Sequence, residues 1–317
     1  MSNNQILSDQ NVLSLAQIIL VFKARYNFQT GVVFQMSDVI DIHPHVISPD
    51  TDSFPLKPLG GTQSSWSLKH PLTYDELIAA MDAAGIAKAA VVQASTAYGH
   101  DNSYLAEAVA RHPNRFTGVF SADILAEDAI EKIDYWHGKG LTALRLFTAG
   151  TTMEGQASWL NDPKSHNVWD YCSKIGMPVC VQMRPQGIPL LHDILKEFPN
   201  SIVIIDHFAR SVFDDGAPYQ KASDLWGLAK FSGVHLKLTH RTLEAALVGN
   251  SNHEDFFRHV LRFFPANRIA WGSNFPAAER PLSTLLAEAR VAISHLDQSD
   301  QDLILGGVAK SLFPSLQ

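Results

Sequence analysis

The chain holds 317 residues, 46% of them hydrophobic and 18% charged, which excludes a disordered, collagen-like or multi-span membrane chain and leaves enough apolar material for a sizeable core. Its 25 Lys and Arg stand against 32 Asp and Glu, a formal net charge of -7, so no basic surplus is available for a nucleic-acid partner. Cys172 and Cys180 are the only cysteines; they exclude a disulfide framework and a thiolate zinc site and point to a reducing cytoplasm, while 14 His direct attention to imidazole chemistry.

Residues 1–35 read as an N-terminal extension, an appended helix without a functional motif. Its apolar stretch, 12–22, is shorter than the roughly 20 residues that cross a bilayer. It also lacks a basic segment before the run and a small-residue cleavage site after it, so neither membrane insertion nor secretion is expected. Met36, just ahead of the first strand, is an alternative start.

Residues 36–317 alternate apolar runs with helical patterns. The run 39–43 predicts a first strand, followed by a loop holding Pro49, Pro55, Pro58, Gly60 and Gly61. Thr73 with Glu76 forms a capping box that opens a helix over about 74–84, stopped by Gly85. Strands follow at 89–93, 116–120, 141–147, 177–182, 202–207, 234–238 and 269–272. Helices fall between them at about 102–111, 126–137, 165–175, 188–198, 218–229 and 253–264, and two more near 282–295 and 299–311 complete the chain. Eight strands that are apolar on both faces, each followed by a helix, predict an α/β fold: a single-domain (β/α)8 TIM barrel. A doubly wound open sheet is the competing arrangement.

In a barrel the chemistry gathers where strands end. Those positions hold His43 and His45, Gln93, Asp123, Arg145, Gln182 and Arg184, His207 and Arg210, Lys237 and His240, and Asn274. Residues two apart on a strand share a face, so His43-Pro44-His45 can aim both imidazoles into one mouth. By contrast His137, His192 and His295 stand alone on helices and read as ordinary surface or packing residues. The cations Arg145, Arg184, Arg210 and Lys237 suit a small anionic, carboxylated substrate, because guanidinium forks match carboxylates. Singly, each can instead pair with a protein carboxylate such as Asp123, Asp206 or Asp214. Tyr98 opens a polar loop expected to line the pocket, and Trp66 with the loop 48–72 reads as a lid.

The segment Asp41-Ile42-His43-Pro44-His45 resembles the opening motif of the amidohydrolase superfamily. So do Gly140 to Leu146, Ile205-Asp206-His207-Phe208, Trp271 to Pro276 and Ile304 to Gly307, in the same order along the chain. The stretch from about 38 to 314 is most similar to the amidohydrolase-related branch of 2-pyrone-4,6-dicarboxylate lactonases, other lactonases and metal-dependent decarboxylases. That resemblance implies a hydrolase acting on a carboxylate-bearing lactone or similar cyclic ester. Decarboxylation of an aromatic or unsaturated acid and a catalytically silent binding relative are the alternatives.

Members with metal hold one or two divalent ions through the paired His, a His closing strand five, a His closing strand six and an Asp closing strand eight. His43, His45 and His207 match as metal ligands, if a metal is present. Gln182 and Asn274 depart from the pattern. The resemblance therefore implies no cofactor or one divalent metal, zinc or manganese, with the metal-free state favoured for want of an anionic ligand. Asn274 cannot accept a proton at neutral pH, so it is assigned to orienting water or donating to an oxyanion. His207 is then the first candidate for general base, with Asp206 expected to point away along its strand, and His45 the second. Arg145 and Arg184 would hold the carboxylate, supported by Gln182, Arg210, Lys237 and Tyr98. A homo-oligomer is compatible with all of this.

Overall fold

Eight parallel strands carry the fold: β1 (Val39–Asp41), β2 (Ile86–Val92), β3 (Phe116–Ser121), β4 (Leu141–Phe147), β5 (Val179–Gln182), β6 (Val203–Asp206), β7 (Val234–Leu238) and β8 (Ile269–Trp271). They belong to a computed structural model that describes residues 38–317, so the expected N-terminal extension and the alternative start at Met36 lie outside the described residues. Neighbours pair strictly in sequence order with no reversal, which distinguishes the barrel from the doubly wound sheet. The ring closes where the Ile42 N–H donates to the Trp271 carbonyl at 3.2 Å.

Alternation along each strand divides the core in two. Val91, Leu144, Val181, Ile205 and Leu236 face outward and pack under the helices. Ile40, Ala90, Val119, Ala143, Cys180 and Ile204 form the inner cluster, covered by Val308, Leu312, Phe313 and Leu316 from the last helix and its tail. Two residues further along three of these strands, the same inward phase delivers Arg145, Gln182 and Asp206. A polar layer thus lies directly on an apolar one. Register then sets Asp206 beside Lys237 and Phe147 beside Gln182.

The β1–β8 seam has its own devices. A Cβ on Gly272 would stand 2.6 Å from the Cβ of His43, so only glycine lets the two strand ends approach this closely. Asp41 spans the top of the seam, its Oδ1 accepting the His43 N–H at 2.9 Å and the Ser273 N–H at 2.8 Å.

Local signals mostly hold. Thr73 and Glu76 form the capping box reciprocally, and the helix ends at Gly85 in the left-handed conformation. Two expected helices are corrected. Left-handed Tyr219 holds back the 218–229 segment, which resolves into Gln220–Ala222, Ser223–Gly227 and Leu228–Lys230. The last segment is Gln298–Asp302, a π turn at Leu303–Gly307, and Val308–Leu312; the π turn brings Gly306 against the Asp38 carbonyl, where a Cβ would lie 2.0 Å away. Short helices at Ser65–Lys69, Ser95–Tyr98 and His240–Ala245 occupy stretches expected to be loop. Among the described residues no helix is long and apolar enough to cross a membrane.

Removing the Asp41 carboxylate leaves two buried backbone N–H groups without an acceptor. Asp41→Ala is expected to cost about 2–4 kcal/mol, and Asp41→Asn, which keeps an acceptor oxygen, distinctly less. Urea unfolding midpoints of the two variants check this.

Candidate active site

The three histidines singled out by spacing meet above the polar layer. The His43 ring centroid lies 5.0 Å from that of His45 and 4.9 Å from that of His207. Beneath them is Asp206, fully buried. The Lys237 ammonium stands 2.8 Å from Asp206 Oδ1, Arg145 Nε is 3.4 Å from Oδ2, and His43 Nδ1 is 3.7 Å from Oδ1. The expectation that Asp206 points away from His207 is therefore corrected. Strand alternation stops at Asp206, because His207, Phe208, Ala209 and Arg210 all have φ between 52° and 55°. That left-handed turn swings His207 back to the same side as Asp206 and presents Arg210 one turn later. Such a run without glycine or asparagine carries strain, as backbone at functional sites often does.

A cleft opens onto this cluster, lined by His45, His207, Asn274, Arg145, Arg210 and Arg241, with Trp66, Thr151 and Ala277 also in its wall. Its volume is about 40 Å³. No carboxylate lines it. Burial and then the Arg241, Arg184 and Arg145 guanidinium groups push the Arg210 pKa down to about 10. The imidazoles respond in the same direction. Burial and then Arg145 lower His45 to about 3; burial and then Arg241 hold His207 well below its usual value; burial and then Lys237 do so for His43. All three rings are neutral at neutral pH.

Hydrogen bonds define what the neutral rings offer. His45 Nδ1 lies 2.8 Å from the Val92 carbonyl, which only accepts, so Nδ1 carries the proton and Nε2 keeps its lone pair. His207 Nδ1 meets the Thr239 hydroxyl at 2.8 Å, a partner that permits either tautomer. Arg145 is anchored by the Gln93 carbonyl at 3.0 Å and by the side-chain oxygen of Gln182, with Phe147 5.2 Å from its guanidinium carbon. Asn274 sits at φ 58°, a left-handed position that asparagine tolerates better than most residues.

Some predicted site residues lie elsewhere. Lys237 is 0% exposed and belongs to the layer under the cleft. Arg184 is half-buried beside the cleft, close enough to act on Arg210 but not among its lining. Tyr98 accepts the Ser48 N–H at 2.8 Å and borders a separate groove of about 670 Å³ with His100 and Trp136. Trp66, read as part of a lid, lines the cleft, its ring 5.1 Å from that of His45. Sequence reasoning missed Arg241, which a short helix carries inward from what reads as loop. It also took Asp41 only as part of a motif.

Comparison with known proteins places the chain. The sequence model of the amidohydrolase family matches residues 40–314. The chain belongs to that family. An L-fucono-1,5-lactonase of Burkholderia ambifaria is 26% identical over 121 residues, 38% of this chain and 42% of the relative, so the match spans about two fifths of that protein's length. Among solved structures, a "probable 2-pyrone-4,6-dicarboxylic acid hydrolase" of Acinetobacter baumannii with citric acid bound superposes with a TM-score of 0.70 at 18% identity, over 87% of this chain and 99% of the other. An amidohydrolase of Burkholderia multivorans with bound zinc superposes with a TM-score of 0.70 at 16% identity, over 88% and 99%. At these identities the structures share the fold.

The zinc seen in that neighbouring amidohydrolase raises the question of a metal here. The donor set does not suit a divalent ion. Asp206, the carboxylate that faces the His43 ring, already carries Lys237 and Arg145, and Asn274 offers only a neutral amide. Among the described residues no three His, Cys, Asp or Glu side chains are grouped to hold an ion.

Neutral buried imidazoles make stability fall with acid. The unfolded chain protonates each ring near pH 6.5, whereas folded His45 stays neutral down to about 3. Between pH 7.5 and 5.0 the unfolded state binds the extra proton, and His45 alone is expected to cost about 2 kcal/mol, with His43 and His207 acting in the same direction. Urea unfolding at both pH values should show the loss, and His45→Gln should remove its share.

Proposed function

We propose that this amidohydrolase opens a carboxylate-bearing lactone or similar cyclic ester by attack of water. One observation carries the reading: His45, with its tautomer fixed and Nε2 free to accept, shares a carboxylate-free cleft with Arg145, Arg210, Arg241 and Asn274. Arg210 and Arg241, half-buried and in no ion pair among the described residues, are matched by a carboxylate on the ligand. Similarity to a lactonase and to a fold relative crystallised with citric acid supports the same class.

The chemistry follows from the donors and acceptors present. Water adds to the ester carbonyl carbon and gives its proton to His45 Nε2. The oxygen that becomes negative accepts hydrogen bonds from Arg145 and the Asn274 amide, which donate where charge develops. The ring C–O bond then breaks, and the imidazolium returns the proton to the leaving oxygen, yielding an open-chain acid. Burial, and after it the Arg145 charge, keeps His45 weakly basic in the free protein. A bound carboxylate offsets the Arg145 part of that effect.

The test is an assay of chelator-treated protein against carboxylated lactones and their methyl esters, with ring opening followed by acid release. Turnover of the free acids is expected, with the methyl esters much slower. Arg210→Ala should raise KM about 10- to 100-fold with little change in kcat, and Asn274→Ala should lower kcat about 10²–10³-fold. Absence of turnover across the panel, or release of carbon dioxide in place of ring opening, overturns the reading.

A further inference from the structure

We infer that the Lys237 ammonium takes the place of a bound metal ion in this barrel, acting as a positioning residue held by Asp206 beneath the three imidazoles. The inference concerns ion binding and does not depend on which ester, if any, is hydrolysed. Three observations converge on it. Register sets Lys237 on β7 directly beside Asp206 on β6, and the two side chains meet inside the barrel at 2.8 Å, both fully buried. The same oxygen, Asp206 Oδ1, lies 3.7 Å from His43 Nδ1, so the ammonium occupies the carboxylate oxygen that faces this imidazole. Cys180 Sγ approaches Nζ at 3.6 Å and completes a soft, buried surround.

The second carboxylate oxygen is not free to recruit an ion either, because Arg145 Nε lies 3.4 Å from it. His43 meanwhile is 0% exposed, with neither ring nitrogen hydrogen-bonded. An imidazole in that state is normally claimed by a ligand. Here the neighbouring position already holds a positive charge that the chain supplies itself. A divalent ion entering would face two fixed cations and only half-satisfied donors, and like charges in a weakly screened interior repel strongly. The lysine cannot be chelated away, and it keeps the buried carboxylate compensated whatever the metal supply.

The experiment reads zinc, not turnover. Chelator-treated wild-type protein, Lys237→Ala and Lys237→Arg are each dialysed against zinc chloride, freed of excess, and analysed for zinc per chain, with calorimetric titration in parallel. Wild type and Lys237→Arg are expected to retain no stoichiometric zinc, because both keep the charge. Lys237→Ala, which frees Asp206 Oδ1 and opens a lysine-sized space, is expected to gain about one zinc per chain and to lose it again when combined with Asp206→Asn. A wild-type protein that retains one zinc, released by His43→Ala, overturns the inference. So does a folded Lys237→Ala protein that takes up none. Should Lys237→Ala fail to fold, the wild-type titration alone decides.

Discussion

One buried carboxylate organises the mouth of this barrel. Asp206 is withdrawn from water, and a bare charge there would be prohibitively unfavourable, so its two oxygens must be compensated by side chains of fixed position. Lys237 and Arg145 supply the compensation, and His43 is brought to the same oxygen as Lys237. Four strand ends, β1, β4, β6 and β7, are thereby referenced to a single group. Arg145 extends the reference to β2 and β5 through the Gln93 carbonyl and the Gln182 side chain. Loss of Asp206 would strand two cations inside the protein, whereas loss of any one partner leaves the others attached.

The electrostatic consequence is a positive interior in a chain of net negative charge. Four arginines and a lysine stand around three imidazoles, and the imidazoles yield by staying neutral. Neutrality is what lets them act as acceptors at all, since a protonated ring has no lone pair to offer. Exposed acidic residues elsewhere keep the chain negative overall without entering the cleft.

Much of this is legible in the amino-acid sequence because parallel strands bury both faces and end in the chemistry. The eight apolar runs, the His43-Pro44-His45 pair and the inward phase of Arg145 and Gln182 follow from period-two alternation alone. What escapes is whatever alternation does not govern. The segment His207-Phe208-Ala209-Arg210 contains no glycine or asparagine to announce a left-handed turn, so Asp206 and His207 read as opposed when they are neighbours in space. Lys237 was in phase, yet its depth depends on register against β6, which no single strand encodes. Arg241 was hidden by a six-residue helix too short to leave a periodic trace. Tyr98 was misplaced for the converse reason: a short helix after β2 turns its hydroxyl to Ser48 and away from the cleft.

The narrow cleft bears on what can lie in it. A space of about 40 Å³ accommodates little more than solvent, and the indole of Trp66 lies across the approach to His45. A ring-sized compound fits between the imidazoles and the guanidinium groups only as these side chains, Trp66 among them, give way.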